Sequence, residues 1–136
     1  MFCILLDGET RTVEQRQSIE RESQGKLRFL DRRMIENYLL DADAISAVLC
    51  ELGETTSPSD TAHQLALTLG CTEHSDDPAK LDGASVLSAV FSTLSDARQE
   101  FRKTRDVPAL AEHLIEHKAD SLAPLKICLR RVCDLA

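Results

Sequence analysis

An apolar run ending in carboxylates constrains this chain more than any other feature. Phe2 to Leu6 is almost continuously hydrophobic, and Asp7-Gly8-Glu9 follows at once. A run this short, without alternation, predicts a strand buried on both faces. Asp7 and Glu9 are two residues apart, so in an extended chain their carboxylates point to the same side. Gly8 lets the chain turn there, or lets a ligand approach the backbone. In open parallel sheets ligands gather beyond the carboxyl ends of strands, and Mg²⁺ takes a few carboxylate oxygens with water completing its shell. An ordinary acidic turn accounts for the same spacing without a ligand.

A second segment extends the pattern. Thr12 to Ser23 is polar with few apolar anchors and predicts a surface crossover helix, and Leu27, Phe29 and Leu30 then form another short apolar segment. Asp31 is a candidate N-cap for a helix carrying Met34, Ile35, Tyr38 and Leu39. In a β-α-β unit Glu36, in the first turns of that helix, comes close to the end of the preceding strand. The fold class expected is therefore α/β but mostly helical, with two short N-terminal parallel strands.

The order of an apolar strand, D-x-E, a helix, a strand and then R-x-x-I-E-N-Y-L-L resembles the second half of the Toprim domain in the overcoming-lysogenization-defect (OLD) family of ATP-linked endonucleases and related anti-phage proteins. The resemblance implies that Asp7 and Glu9 bind Mg²⁺ or Mn²⁺, with Glu36 beside them as metal ligand and catalytic group. The second acid is Glu where the family usually has Asp. Further along, Asp82-Gly83 and the segment EFRKTRDVPALAEHLIEH are similar to the family's ending, which implies that Lys103 faces the scissile phosphate. Ala84 stands where many members carry Lys, so a second basic contact is missing.

A complete Toprim domain begins with a strand and a Gly-rich turn bearing another catalytic Glu, and ATP-linked members place an ATPase before it. Neither precedes Asp7 in this sequence, and no G-x-x-x-x-G-K-S/T loop occurs, so no nucleotide site is expected. The resemblance thus implies the C-terminal part of a metal-dependent DNA endonuclease, completed by an upstream segment or a partner protein. Two alternatives stay open: a catalytically silent Toprim-like remnant serving as an interaction module, and an unrelated helical domain in which I-E-N-Y-L-L is core.

A length of 136 residues with 43% hydrophobic content suits one domain. Residues 1–40 would hold the strand-helix-strand-helix unit, and residues 41–136 a helical region with an exposed acidic loop at 72–82. Asp41, and Ser59 or Asp60, mark helix starts; Gly53 and Gly70 mark helix ends. Two longer helices are expected, Ala84 to about Arg105 and Ala109 to Leu135, with Pro124 breaking the second. No stretch is long enough to span a bilayer and no signal peptide is evident, which leaves the cytoplasm by default. The five cysteines, Cys3, Cys50, Cys71, Cys128 and Cys133, form no C-x-x-C pair and read as buried free thiols. Cys71 and His74 lack a second pair for zinc. His113-Leu114-Ile115-Glu116-His117 matches H-x-x-E-H, but Leu114 and Ile115 fit the buried stripe of an amphipathic helix.

Charge opposes a DNA-binding role and also localises it. The formal net charge is −7, whereas affinity for a polyanion rests on Lys and Arg neutralising phosphates. Between Asp41 and Asp82 the only basic residue is Lys80, and the cations concentrate in the flanks. Arg32, Arg33, Arg102 and Arg105 are the candidate DNA contacts around the carboxylates. With four Phe, one Tyr and no Trp, stacking on single-stranded bases is not supported. A two-stranded parallel sheet leaves unpaired edges, so the chain is expected to oligomerise.

Overall fold

The computed structural model describes residues 4–8 and 11–133, with side chains to Arg131. Phe2, Cys3 and Glu9 lie outside the described residues, as do Leu135 and the side chain of Cys133.

Strand β1 (Ile4–Leu6) is followed by helix α1 (Val13–Glu22) and strand β2 (Leu27–Phe29). The strands pair in parallel with Ile4 opposite Leu27 and Leu6 opposite Phe29, so the expected crossover unit is present. Helix α1 starts where Thr12 and Gln15 form a reciprocal capping box. Gly8, just beyond β1, has no room for a side chain: a Cβ there would lie 2.7 Å from the Arg32 carbonyl oxygen and 3.0 Å from that of Leu30. The close approach brings the end of β1 against the segment leaving β2.

Two expectations fail in this region. Burial of β1 on both faces does not hold, because Leu5 packs toward the core while Ile4 and Leu6 are 43% and 36% exposed. The helix expected after Asp31 is only a 3-10 turn, Ile35–Tyr38. Met34 is extended, Asp41 already caps the next helix, and the Asp31 side chain pairs with Arg131 at 3.4 Å instead of capping.

The remainder is helical: α2 (Ala42–Glu51), α3 (Pro58–Gly70), α4 (Gly83–Leu94), α5 (Lys103–His117), a 3-10 turn (Ala119–Leu122) and α6 (Ala123–Cys133). Helix α2 packs on α3 and α5, and α3 packs on α4. Ile45, Leu49, Leu87, Phe91, Leu110 and Leu114 are completely buried in the shared core. Residues 72–82 form the loop that their acidic, aperiodic sequence implies.

The single helix expected from Ala84 to Arg105 is instead two elements. Asp96 and Ala97 both adopt left-handed φ, +50° and +62°, and the Ser95 hydroxyl donates to the Phe91 carbonyl at 2.7 Å and accepts from Gln99 N–H at 2.9 Å. Hydroxyls that compete for backbone groups end helices this way. Phe101 then folds back edge-on to Phe91, with ring centroids 5.4 Å apart. The break expected at Pro124 falls earlier, at Lys118, and Pro124 sits in the first turn of α6, where its missing N–H costs nothing. Of the cysteines with described side chains, Cys128 is buried but Cys50 and Cys71 are exposed, which corrects the buried reading for those two.

Candidate functional site

Three chain segments converge beyond the ends of the parallel strands. β1 supplies Asp7, which is partly buried. The 3-10 turn after β2 supplies Glu36, whose side chain is completely buried. The first residue of α5, Lys103, brings its Nζ to 2.8 Å from Glu36 Oε1. Glu36 and Lys103 are far apart in sequence, yet they meet directly.

Local interactions explain this placement. Asn37 anchors the turn by donating from Nδ2 to the carbonyls of Pro78 at 2.8 Å and Leu81 at 2.9 Å. Gly83 begins α4 flush against the same asparagine, where any Cβ would overlap the Asn37 side-chain oxygen. Met34 Sδ accepts from Ala84 N–H at 3.3 Å. The turn bearing Glu36 is thereby clamped to the start of α4, and Asp82 caps that helix by accepting from Ser85 N–H at 3.0 Å.

The start of α5 is held by Asp106, which is fully buried. It accepts from Arg102 N–H at 2.7 Å and from Arg105 Nε at 2.8 Å. Lys103 therefore projects from a helix terminus that Asp106 ties to Arg102 and Arg105.

The electrostatics follow from the geometry. The hydrogen bond to Glu36 lifts the Lys103 ammonium above its ordinary range; burial opposes this, while the charges of Glu36, Asp7 and Asp82 add to it. Burial pushes the Asp82 carboxyl up, but its hydrogen bonds with Ser85, together with the charges of Arg33 and Lys103, leave it below its usual range. Asp7 and Asp82 thus share the field of one lysine with Glu36. Burial also raises the Tyr38 hydroxyl, to about 12, with the Arg32 N–H opposing the shift.

Glu36 is incompletely satisfied. Oε1 has the Lys103 ammonium, but Oε2 is buried with no hydrogen-bond donor among the described residues. A buried carboxylate oxygen without a donor is costly and calls for a cation or a donor. The donor chemistry is that of hard carboxylate oxygens, from Glu36 and from Asp7 and Asp82, which all act on the same lysine. No compact group of three or more His, Cys, Asp or Glu side chains with metal-ligand spacing is formed among the described residues, and Glu9, the remaining expected ligand, lies outside them.

The expected DNA contacts divide. Arg32 is turned inward, donating to the Asn37 carbonyl at 2.7 Å with its guanidinium 4.5 Å from the Tyr38 ring centroid. Arg105 is engaged by Asp106 and by the Glu100 carbonyl. Arg102 is exposed at the start of α5, and Arg33 is partly exposed beside Lys80, whose carbonyl accepts from Arg33 Nη1 at 3.1 Å.

The other motifs form no comparable site. His113 and His117 stack along α5 with ring centroids 4.5 Å apart. Leu114 is buried as expected, but Ile115 is 61% exposed, contrary to the stripe assigned to it. Asn37 and Asp106 are positioning residues that sequence reasoning did not assign a role, and Asp82 was named only within the Asp82-Gly83 pair, not as a helix cap. Of these, only Asp82, one residue before a glycine and a helical pattern, carried a capping signal.

No protein-family model, curated protein or solved structure matches this chain.

Proposed function

We propose that the chain is the C-terminal part of a Toprim-like, metal-dependent DNA endonuclease of OLD type, acting in anti-phage defence. A Glu-bearing segment, on the same polypeptide or on a partner, completes its site. The observation that carries this reading is the buried Glu36 carboxylate, ion-paired on one oxygen with Lys103 and lacking a donor on the other. Asp7 lies near enough for its charge to act on Lys103, which supports reading the three residues as one Toprim-like corner.

In this reading Asp7, Glu9 and Glu36 hold Mg²⁺ or Mn²⁺, which when bound activates water and offsets charge on the leaving oxygen. Asp7 orients its carboxylate at the strand end. Glu36 is fixed in place by the Asn37 clamp. Lys103 holds its proton at neutral pH and stabilises negative charge developing on phosphate oxygens. As phosphate arrives, the ammonium has two anionic partners, and its position at a helix start, more than half exposed, leaves it free to serve both.

One observation favours a second reading. Lys103 already neutralises Glu36, so the same corner serves as a structural ion pair in a catalytically silent interaction module. Plasmid nicking by the completed assembly in Mn²⁺ separates the two. Asp7→Ala should abolish nicking and leave the circular dichroism spectrum unchanged, whereas an Asp7→Ala assembly that nicks like the parent would refute the nuclease reading.

A further inference from the structure

Lys80 is the only basic residue between Asp41 and Asp82, and the fold turns it back onto the N-terminal unit. With Arg11, Arg16 and Arg33 it lines a cleft of about 620 Å³ at the start of α1. Glu73 is the only carboxylate lining that cleft among the described residues, and His74 is beside it. Among the described residues, four basic side chains and one carboxylate line the cleft, a local departure from the chain's net charge of −7. Long-range attraction cannot gather a polyanion onto such a molecule, so a local basic concavity has to do it.

The lining is built rather than incidental. Arg33 is held by its bond to the Lys80 carbonyl, and its own N–H donates to the Pro78 carbonyl at 3.1 Å. The Arg16 guanidinium donates to the Leu30 carbonyl at 3.1 Å, and its Nε is buried without an acceptor among the described residues. Arg11 reaches over the Phe29 ring, 5.5 Å from its centroid. The cleft also adjoins the carboxylate corner. Arg16 Nη1 lies 3.3 Å from where a Gly8 Cβ would stand, next to Asp7, and Arg33 is close enough to Asp82 to help lower its pKa.

We infer that this cleft binds the phosphodiester backbone of DNA and delivers the strand to the Asp7, Glu36 and Lys103 corner; the delivery rests on the nuclease reading, whereas the binding does not. The contacts are to phosphate, so affinity is independent of sequence and falls steeply with salt. For four contacts on a duplex, log K is expected to fall with log salt with a slope of about −3 to −4.

The test is fluorescence anisotropy of the full chain with a short labelled DNA duplex in EDTA, so that metal plays no part. Lys80→Glu should weaken binding about tenfold or more, and Lys80→Gln should lower the salt slope by about one. Lys126→Glu, an exposed lysine on α6 outside the cleft, should change affinity no more than about twofold. Undiminished binding by Lys80→Glu, or an equal loss in Lys126→Glu, would overturn the inference. Competition by inorganic phosphate as effective as by unlabelled duplex would overturn DNA as the ligand. Asp7→Asn should bind the duplex at least as well as the parent, so failure of the metal assignment is read separately from failure of the cleft.

Discussion

The pairing of Glu36 with Lys103 joins a fully buried anion to a cation that is 59% exposed, and the asymmetry governs its energetics. The ammonium is screened by water, so the pair itself contributes little. Removing the lysine, however, leaves the carboxylate without its cation, and Lys103→Met is expected to destabilise the fold by about 1–2 kcal/mol at neutral pH. Because the folded Lys103 holds its proton above the ordinary 10.5, this contribution is complete below that value and is lost as pH rises through the elevated one. Thermal melts of parent and variant should therefore differ at pH 7 and converge under strongly alkaline conditions; a gap that persists there contradicts the assignment. From the residues alone, Glu36 was expected near the end of the preceding strand, with nothing to pair it to a cation. Only the resemblance carried by I-E-N-Y-L-L and the R-K-T-R segment linked it to Lys103. Asn37 left no trace in spacing because its partners are distant backbone carbonyls fixed by tertiary structure, and Asp106, although its partners Arg102 and Arg105 are local, sits inside the helix instead of at a cap position.

At the level of elements, helix starts were legible only in part: Ser57, not Ser59 or Asp60, caps α3, and α5 begins at Lys103 instead of Ala109, whereas Gly53 follows α2 and Gly70 closes α3 as expected. Thr12 and Asp41 cap α1 and α2 as their side-chain chemistry implies, and the parallel pairing of β1 with β2 follows from a polar crossover between two apolar segments. The interruption between α4 and α5 was not legible, since it depends on two non-glycine residues held at positive φ by surrounding contacts. The interruption matters for function because it creates the helix terminus that presents Lys103. Asp106 secures that terminus, so Asp106→Ala should cost about 2 kcal/mol. It should also loosen the first turn of α5 selectively, which amide hydrogen exchange would register as faster exchange around residues 103–107. Uniform exchange across all helices would show that Asp106 has no special hold on this turn.

At the scale of the whole molecule, helices pack on a very small sheet, and among the described residues two apolar side chains of β1 reach solvent while Phe29, opposite Leu6, is buried. Ile4, Leu6 and Val13 are all exposed around β1, and a two-stranded parallel sheet has unpaired backbone along its edges. The chain is expected to self-associate with rising concentration in sedimentation velocity, with Ile4→Lys shifting it toward monomer; a parent that stays monomeric at high concentration contradicts this. The open edge of β1 suits the attachment of a completing strand, and so links assembly to the metal corner. That corner is the central claim, and calorimetric titration with Mn²⁺ tests it most directly. The parent chain should bind Mn²⁺, Asp7→Asn and Glu36→Gln should each weaken binding by about tenfold or more, and Lys103→Ala should preserve or tighten it by freeing Glu36 Oε1. No binding by the parent, or binding unaffected by both carboxylate substitutions, would contradict the account.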